Sequence, residues 1–408
     1  MTPRKASAIG ALLVALGPIS MALYTPAMPQ LVTVFGTDVS TVKLTLTIYF
    51  LGFALAQLVC GPLSDAWGRR PVVIGFTVLY LAGSLMAVYA PTIDWLLAAR
   101  AVQGVGAAAG VAVARAIVRD LFTGRQSAQV MNMIGLMLAA GPAVSPTIGG
   151  ITLDLFGWHA IFLIMVAYGL VIVVVFLTIV PETLTSPDRG NARPARLAAN
   201  YAALMRDTRF LRPAVIMACS IGSLYALATI LPFALIDRVG LTPTAFGLGM
   251  FVQSGSFLAG SVIMRRLLVS IDAHRLVAAG LVLMALGAAL LAVLGLAVEP
   301  RFTTVMGPVG LIAFGIPFVL PAMMTESLAP YPRIAGAASA LSGFLQMGAG
   351  LLGSAIAAVM GDPVLALMTI VPAMIAVAVV VHLVLRRPDG RIGEPLVDRA
   401  PERRSAAE

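Results

Sequence analysis

The sequence predicts an all-α polytopic membrane protein, and its composition, its hydropathy and the length of its apolar segments all support this class. Of the 408 residues, 60% are hydrophobic and 11% are charged, and the mean hydropathy is +0.98. A soluble domain is about 45–50% apolar and roughly 25% charged, so this chain would expose large apolar patches in water. Disorder is excluded as well, because it requires low hydrophobicity. A bilayer-spanning helix needs about 20 apolar residues, and the chain has room for about twelve such spans.

Twelve apolar segments follow one another along the chain. The first resembles a signal peptide, since Arg4 and Lys5 precede an apolar run. It is long, however, it holds Pro26 and Pro29, and eleven more spans follow, so we predict an uncleaved first membrane helix. The predicted spans are 8–29, 43–62, 72–90, 95–114, 130–152, 160–180, 213–236, 245–264, 276–297, 304–325, 335–359 and 364–385.

Positive charge is distributed unequally between the two sides of the predicted bundle. With the N-terminus inside, 23 of the 27 Lys and Arg residues lie in inside segments, 3 lie outside and Arg100 lies within a span. Membrane proteins concentrate Lys and Arg in their cytoplasmic loops, so we predict that both termini are cytoplasmic. This placement also explains the net charge of +9 without a nucleic-acid partner.

A long polar and basic segment, residues 181–212, separates six spans from six spans. We predict an N-terminal half at residues 1–180, this cytoplasmic linker, a C-terminal half at 213–386 and a disordered cytoplasmic tail at 387–408. Within the linker, residues 195–205 have the composition of a short surface helix. Transporters built from two such halves bind their substrate near the membrane midplane, between the halves.

The segment between spans two and three is the most specific motif of the chain. Residues 61–71 read GPLSDAWGRRP, and their two glycines and two prolines predict a tight turn. Asp65 can cap a neighbouring helix N-terminus, and Arg69 and Arg70 can pair with carboxylates of other helices. The alternative is a solvated turn whose arginines only follow the positive-inside rule.

This motif, at this position, resembles the signature loop G-x-L-x-D-x-x-G-R-R of the major facilitator superfamily. Residues 100–106, RAVQGVG, resemble the R-x-x-Q-G-x-G motif of the fourth helix in that family. The first span, with YTPAMP at 24–29, is similar to that of drug exporters, and ARAIVRDLF at 114–122 is closest to the Bcr/CflA-type branch. The residues that resemble the fifth-helix antiporter motif of exporters are Gly141, Pro142, Pro146, Gly149 and Gly150.

The resemblance implies the major facilitator fold, with twelve transmembrane helices in two six-helix halves, in a bacterial inner membrane. It implies a secondary transporter, not an enzyme, that exports small amphipathic drugs or toxic compounds by alternating access, in exchange for protons. It also implies a cytoplasmic latch in which Asp65 faces the start of span eleven near Ala335 and Arg69 reaches Asp120. The expected partners are a small-molecule substrate, protons and lipid, with no cofactor or metal, and a monomer is expected. The implied latch residues are Gly61, Asp65, Gly68, Arg69, Arg70, Arg119 and Asp120.

Arg100 is the charge that lies clearly inside a predicted span. A charge at the bilayer centre costs at least about 2.5–3.5 kcal/mol, so such residues are functional by default. We predict that Arg100 donates hydrogen bonds to facing helices or to substrate, with Gln103 and Gly104 beside it. The alternative is snorkelling to the surface, because the residue sits only about 8 Å into the span. In span five, Pro142 and Pro146 remove backbone donors and predict a functional bend, together with Gly141 and Gly149.

The predicted spans hold no carboxylate well inside the membrane. Relatives of the Bcr/CflA type carry an aspartate where this chain has Ala22, and a proton-coupled exporter commonly uses a membrane-embedded acid. Either an acid at a helix edge carries the proton, with Glu326 or the latch acids Asp65 and Asp120 as candidates, or the coupling differs from that of the relatives. The missing acid also argues against cationic substrates.

Polar and aromatic side chains within the spans are the candidates for the substrate cavity. Each of them has an alternative role in helix packing or in hydrogen bonds between helices. Methionines in span five would suit adaptable binding of varied apolar ligands, although core packing explains them equally well. The candidates are Tyr24, Tyr49, Gln57, Asn132, Tyr225, Gln253, Phe344 and Gln346.

Two alternatives to drug export remain open at this point. A major facilitator carrier for a metabolite, such as a sugar, an amino acid or a nucleobase, fits the same motifs. A polytopic membrane enzyme would want clustered His, Asp or Glu near one membrane face, and the three histidines are scattered. The sequence has no G-x-x-x-x-G-K-[ST] motif, which argues against a built-in ATPase and favours a proton gradient as the driving force.

Overall fold

The computed structural model describes residues 1–122, 124–184 and 193–385, and these residues form helices and short connections without a strand. Some side chains within this part are outside the description, including those of Asn132 and Pro142. Twelve long helices, labelled α1 to α12, correspond in order to the twelve predicted spans. They are α1 (Pro3–Val34), α2 (Val39–Trp67), α3 (Arg69–Val88), α4 (Ile93–Leu121), α5 (Gly124–Phe156), α6 (Trp158–Thr178), α7 (Thr208–Arg238), α8 (Pro243–Leu267), α9 (Ala273–Ala297), α10 (Phe302–Leu328), α11 (Ala335–Met360) and α12 (Pro363–Val384).

Eleven of these helices are long and apolar enough to cross a bilayer, and α5 adds a shorter described apolar stretch at Ala143–Phe156. The prediction of an all-α multi-pass membrane protein is therefore confirmed. Most helices extend beyond their predicted spans, because charged residues end the apolar run without ending the helix. In α4, for example, Arg115 and Arg119 lie on the helix, seven residues of which follow the predicted end at residue 114.

Four helices begin with a side-chain cap at the same end of the bundle. Asp38, Thr92, Thr242 and Asp362 accept hydrogen bonds from backbone N–H groups in the first turns of α2, α4, α8 and α12. Such caps satisfy donors that the helix leaves without an internal partner. The bonds from Thr41 to Asp38 favour the charged carboxylate and hold the pKa of Asp38 below its ordinary value. These caps fix the ends of four spans without any need for a long loop.

The twelve helices bury two large apolar cores, one within each six-helix half. One core is built almost wholly from α1 to α6 and includes Tyr80 and Phe162, and the other comes from α7 to α12. The halves contact each other where α2 packs along α11 and α5 packs along α8. We call the end at which α1 begins and α2 finishes the basic end, and the other end the opposite end.

A short helix at Pro194–Arg206, here called the linker helix, precedes α7 at the basic end. It coincides with the surface helix predicted at 195–205. Leu204 is buried there against a small cluster that includes Phe210 of α7 and Leu341 of α11. Residues 185–192 of the linker and 386–408 of the tail lie outside the described residues, so the domain boundaries at 180, 212 and 386 stay predictions.

Candidate functional site

The turn between α2 and α3 consists of one residue, Gly68. The prediction of a tight turn over 61–71 is wrong, because α2 continues through Gly61 and Pro62 to Trp67 and α3 begins at Arg69. Gly68 has a φ of +103°, and a Cβ there would lie 2.5 Å from the Glu182 carboxylate. This position therefore requires glycine.

Proline inside α2 leaves one backbone carbonyl without its helical donor. Pro62 has no N–H, so the carbonyl of Leu58, four residues earlier, loses the usual bond. The Tyr201 hydroxyl of the linker helix donates a 2.6 Å hydrogen bond to that oxygen. Burial raises the pKa of Tyr201 to about 12, so its hydroxyl keeps its proton at physiological pH. A distant segment thus supplies the donor that Pro62 lacks.

Arg69 is the centre of a charged cluster at the basic end of the first half. Its side chain is buried, and its guanidinium pairs with Asp65 of α2 and, at 2.9 Å from Nε to Oδ2, with Asp120 of α4. Nη1 also donates to the Ser64 hydroxyl at 2.7 Å. The predicted contact between Arg69 and Asp120 is present. Three helices are thus joined through one guanidinium.

Glu182, which sequence reasoning missed, closes the same cluster from the segment after α6. Its carboxylate accepts the backbone N–H groups of Arg69 at 2.9 Å and of Arg70 at 3.0 Å, and so caps α3. Arg70 donates in turn to the carbonyls of Phe176 and Leu177 at the end of α6. The sequence signal that could have identified Glu182 is an acidic residue directly after Pro181, where predicted span six ends.

The other implied latch contacts are not formed in this conformation. Among the described residues, Asp65 has no hydrogen bond or ion pair with α11, so the contact expected near Ala335 is absent. Arg119 is exposed and has no ion pair in the described part of the chain, and a Cβ on Gly61 would meet open space. The gating role of all these residues stays a prediction.

Arg100 lies fully buried in α4, so the snorkelling alternative is wrong. One terminal nitrogen, Nη1, donates to the side-chain oxygen of Gln103 one turn later. The amide nitrogen of Gln103 then donates to Ser84 of α3 at 2.7 Å and contacts the Met165 sulfur of α6 at 3.2 Å. This network links three helices of the first half through polar side chains.

Two tyrosine rings enclose the guanidinium of Arg100. The ring centroids of Tyr24 and Tyr49 lie 4.5 and 4.3 Å from its central carbon. Cation–π contact of this kind stabilises a desolvated guanidinium. Nε and Nη2 remain buried without a hydrogen-bond partner. A buried arginine with two unpaired nitrogens is unusual, because unmade hydrogen bonds of charged groups are costly.

A glycine at position 104 allows α2 and α4 to approach closely. A Cβ on Gly104 would lie 2.2 Å from the Tyr49 carbonyl oxygen, and one on Gly106 would lie 2.2 Å from the Tyr80 nitrogen. Both glycines therefore serve helix packing, which brings Tyr49 and Arg100 together.

The inner surfaces of the two halves leave a small, partly open cavity of about 10 Å³ between them, room for about one water molecule in this conformation. Aromatic and methionine side chains dominate its walls, and Phe50 of α2 lies 5.4 Å from Tyr225 of α7 between ring centroids. Tyr49 lines the cavity and also contacts Arg100, so one side chain separates the cavity from the buried charge. The lining residues are Gly17, Pro18, Met21, Tyr49, Phe50, Phe53, Tyr225 and Met347.

Two of the predicted cavity residues, Tyr49 and Tyr225, line this cavity. Tyr24 is buried behind it and bonds to Thr45 at 2.7 Å, and Phe344 packs in the cluster beside the linker helix. Gln57 is buried against Gly343 of α11. The aromatic residues Phe50 and Phe53 were missed, although Phe53 follows Tyr49 by four residues and Phe50 by three, spacings that place each pair on one helical face.

The remaining cavity candidates are placed differently. Gln253 of α8 is half-buried with its side-chain oxygen unpartnered, and Gln346 is half-buried on α11. Asn132 belongs to α5, but its side chain lies outside the described residues. Neither glutamine lines the cavity described above.

Lys43 joins the halves at the opposite end, a role that the sequence did not suggest. Its side chain is fully buried, and Nζ donates to the carbonyls of Ala357 at 3.0 Å and Gly361 at 3.4 Å, where α11 ends. The carbonyls at a helix C-terminus lack helical donors and carry partial negative charge, so they suit an ammonium group. Sequence analysis placed Lys43 in an outside segment; its burial depends on the packing of α11.

A chain of hydroxyl groups adds to this junction. Ser354 of α11 bonds to Thr47 of α2 at 2.6 Å and to Thr229 of α7 at 2.9 Å. On the other side of the bundle, Asp154 of α5 accepts both the N–H and the hydroxyl of Thr244 in α8. Among the described residues, every hydrogen bond that joins the two halves directly therefore lies toward the opposite end.

Asp362 supports the same end from the loop between α11 and α12. The N–H groups of Leu365 and Val364, the Arg238 guanidinium and the Lys43 ammonium favour its charged form, and they hold its pKa below the ordinary value. Arg238 pairs with it at 2.7 Å. Both groups are substantially exposed, so this pair contributes little by itself.

Glu326 lies at the basic end of α10 in a buried charged cluster of the second half. It accepts from Arg212 of α7 at 2.6 Å, and its second oxygen is buried without a partner. Arg212 also lies 3.2 Å from Nδ1 of His382 in α12. A guanidinium can only donate, so Nδ1 is the acceptor in this contact. The proton-carrying role of Glu326 stays a prediction.

The small residues of α5 lie at close helix contacts. A Cβ on Gly149 would lie 2.2 Å from the Leu23 oxygen of α1, and one on Gly141 would lie 3.2 Å from Ile19. Pro146 contacts Gly247 of α8 through its carbonyl. The helix is continuous across Pro146, and the side chain of Pro142 lies outside the described residues, so the functional bend stays a prediction.

Comparison with known proteins agrees with this architecture. The family model described as Major Facilitator Superfamily matches residues 10–358. The chain is 27% identical to a bicyclomycin resistance protein homolog of Haemophilus influenzae, over 91% of this chain and 93% of that protein. It is 28% identical to a chloramphenicol resistance protein of Pseudomonas aeruginosa, over 83% of this chain and 80% of that protein. The resemblance predicted from the motifs, including the Bcr/CflA-type branch, is confirmed.

A solved structure shows the same fold at low sequence identity. The partially occluded inward open conformation of the xylose transporter XylE from E. coli superimposes with a TM-score of 0.73 at 14% identity. The match covers 94% of this chain and 98% of that one.

Proposed function

Because the chain belongs to the major facilitator superfamily, we propose that it exports small amphipathic drugs or toxic compounds across a bacterial inner membrane. The observation that carries this proposal is the cavity between the halves. Its walls consist mainly of aromatic rings and methionines, among them Phe50, Met21 and Met347. Such side chains suit apolar ligands of varied shape. A carrier for a hydrophilic metabolite would need more polar groups in these walls. The resistance proteins among the relatives support the same substrate class.

Transport proceeds by alternating access between the two halves. The basic end faces the cytoplasm, as the unequal distribution of Lys and Arg favours. The direct hydrogen bonds of Lys43, Thr47 and Asp154 hold the halves together at the periplasmic end in this conformation. Rocking of the halves breaks these bonds, closes the cytoplasmic end and brings Asp65 toward α11. The cluster around Arg69 keeps the basic end of the first half rigid during this movement.

Protons supply the driving force. The candidate carrier is Glu326, because one of its carboxylate oxygens is already bound by Arg212 and the other is buried without a partner. Proton binding would neutralise Glu326, weaken its pair with Arg212 and alter the contact between α7 and α10. This change would couple the protonation state to the arrangement of the second half.

Uptake into inverted membrane vesicles tests the proposal. Vesicles that contain the full chain and are acidified inside should accumulate chloramphenicol or another lipophilic antibiotic, and an uncoupler should abolish the accumulation. Vesicles from cells without the protein are the control. Accumulation of a hydrophilic sugar or amino acid in place of every antibiotic tested would contradict the drug-export proposal.

A further inference from the structure

The buried charge next to the cavity has no acidic partner in the part of the chain that the structure describes. Arg100 is fully buried, and the titratable side chains that act on it are the tyrosines Tyr24, Tyr49 and Tyr80. The acids of the described helices lie at helix ends, as Asp94 and Asp120 do on α4 itself. Buried charges in proteins are ordinarily paired, so this guanidinium lacks the counter-ion that its position requires.

The unpaired nitrogens of Arg100 define one edge of the guanidinium. Nη1 is bound to Gln103, whereas Nε and Nη2 have no hydrogen-bond partner among the described residues. These two nitrogens carry parallel N–H bonds on the same edge, and a carboxylate binds that edge with both oxygens. The free edge therefore matches a planar anion better than a single hydroxyl or carbonyl group.

The path from the cavity to this edge is short. Tyr49 lines the cavity with Phe50 and Tyr225, and its ring lies 4.3 Å from the guanidinium carbon. Its hydroxyl donates a 3.1 Å hydrogen bond to the Gly17 carbonyl. Rotation of this ring would open the cavity toward the guanidinium.

We propose that Arg100 binds the carboxylate of an anionic aromatic substrate, whose apolar body packs against the cavity walls beside Tyr49 once movement of the halves has widened the cavity. The inference rests on the proposed export function and specifies its substrate class. The ligand supplies the missing counter-ion, and the apolar walls bind its ring. Neutral amphiphiles of the same shape bind the walls only, and therefore bind more weakly.

Matched pairs of neutral and anionic probes test this proposal. The full chain in lipid nanodiscs is titrated with chloramphenicol and its hemisuccinate, and with 2-naphthamide and 2-naphthoate. In wild type the carboxylate of each pair should bind at least tenfold more tightly than its neutral partner. Arg100→Gln should remove that preference and keep the binding of the neutral probes, and Arg100→Lys should restore part of it.

Arg115→Gln is the matched control, because Arg115 lies on the same helix about four turns closer to the basic end. It should keep the preference for carboxylates. Equal or tighter binding of the neutral probes to wild type would overturn the anionic substrate class and leave the export function standing. If wild type binds none of the four probes, both the anionic substrate class and the export function are contradicted. Retention of the preference in Arg100→Gln would exclude Arg100 as the binding group.

Discussion

The hydroxyl of Tyr201 donates a 2.6 Å hydrogen bond to the carbonyl of Leu58, the oxygen that Pro62 leaves without its helical donor. The bond joins the linker helix, which connects the two halves, to the middle of a membrane helix. It also completes the backbone hydrogen bonding of α2 at the point where the sequence predicts a turn. The position of the linker helix is therefore tied to the backbone of α2.

Tyr201→Phe should lower the stability of the protein, because it leaves the Leu58 carbonyl without a donor. The expected loss is about 0.5–1.5 kcal/mol, read as a lower melting temperature of the purified full chain. Because burial raises the pKa of Tyr201 to about 12, the difference from wild type should be constant between about pH 6 and 9.

Tyr89→Phe is the matched control, since Tyr89 is 77% exposed at the end of α3. It should melt at the wild-type temperature. Equal melting temperatures for Tyr201→Phe and wild type would show that this bond contributes nothing to stability.

The charged cluster around Arg69 should be necessary for transport. Asp120→Asn and Asp65→Asn each remove one of the two carboxylates that neutralise a buried guanidinium. We expect the initial rate of drug uptake into inverted vesicles to fall at least tenfold in each variant, with normal insertion in the membrane.

Arg196→Gln changes an exposed charge of the linker helix at the same end of the bundle and should keep the wild-type rate. Wild-type transport by Asp120→Asn or Asp65→Asn would show that the cluster is only structural.

The cluster of Arg212, Glu326 and His382 should control proton coupling. Glu326→Gln cannot release a proton, so it should abolish uptake driven by internal acidification while uptake down a drug gradient continues. His382→Phe removes the ring nitrogen that accepts from Arg212 and should make the transport rate less sensitive to pH on the cytoplasmic side.

His159→Phe is the control for a lost histidine, since His159 lies at the opposite end, stacked on Trp158. It should leave the pH profile unchanged. Unchanged proton coupling in Glu326→Gln would exclude this acid as the carrier.

Lys43 should hold the opposite end of the bundle closed. Lys43→Met keeps the length of the side chain but loses the ammonium that binds the carbonyls at the end of α11. In Lys43→Met, we expect a cysteine at position 354 to react with a membrane-impermeant thiol reagent from the periplasmic side. The reaction should be at least threefold faster than in the protein that keeps Lys43.

The measurement uses Ser354→Cys in a Cys219→Ser background, because Cys219 is partly accessible and Cys60 is buried. Lys43→Arg keeps the charge and should react slowly. A reaction rate at position 354 that does not depend on residue 43 would contradict the gating role of Lys43.

Much of the architecture follows from local sequence. Apolar runs of about 20 residues predict each span, because the bilayer fixes the length of a helix that crosses it. Arg69 and Asp120 could be paired from their motifs, since both lie at ends of neighbouring helices. The burial of Arg100 was also open to prediction, because it interrupts an apolar run.

Other parts of the site depend on contacts between residues far apart in sequence. Nothing near Pro62 shows that Tyr201 will supply its missing donor, so local rules predict a turn. Lys43 is polar and near a helix start, which suggests exposure, and only the carbonyls 314 residues later explain its burial. The cavity likewise forms from two halves, and the pattern of one span cannot show which face meets the other half.

The central claim is that the two halves move against each other about the cavity. Distances between pairs of spin labels at the exposed positions 67 and 269 of the basic end, and 156 and 296 of the opposite end, test it in the full chain. On addition of an exported drug and acidification of the periplasmic side, the account predicts that one distance shortens while the other lengthens. If the two distances change in the same direction, or if neither changes while transport proceeds, the account is contradicted.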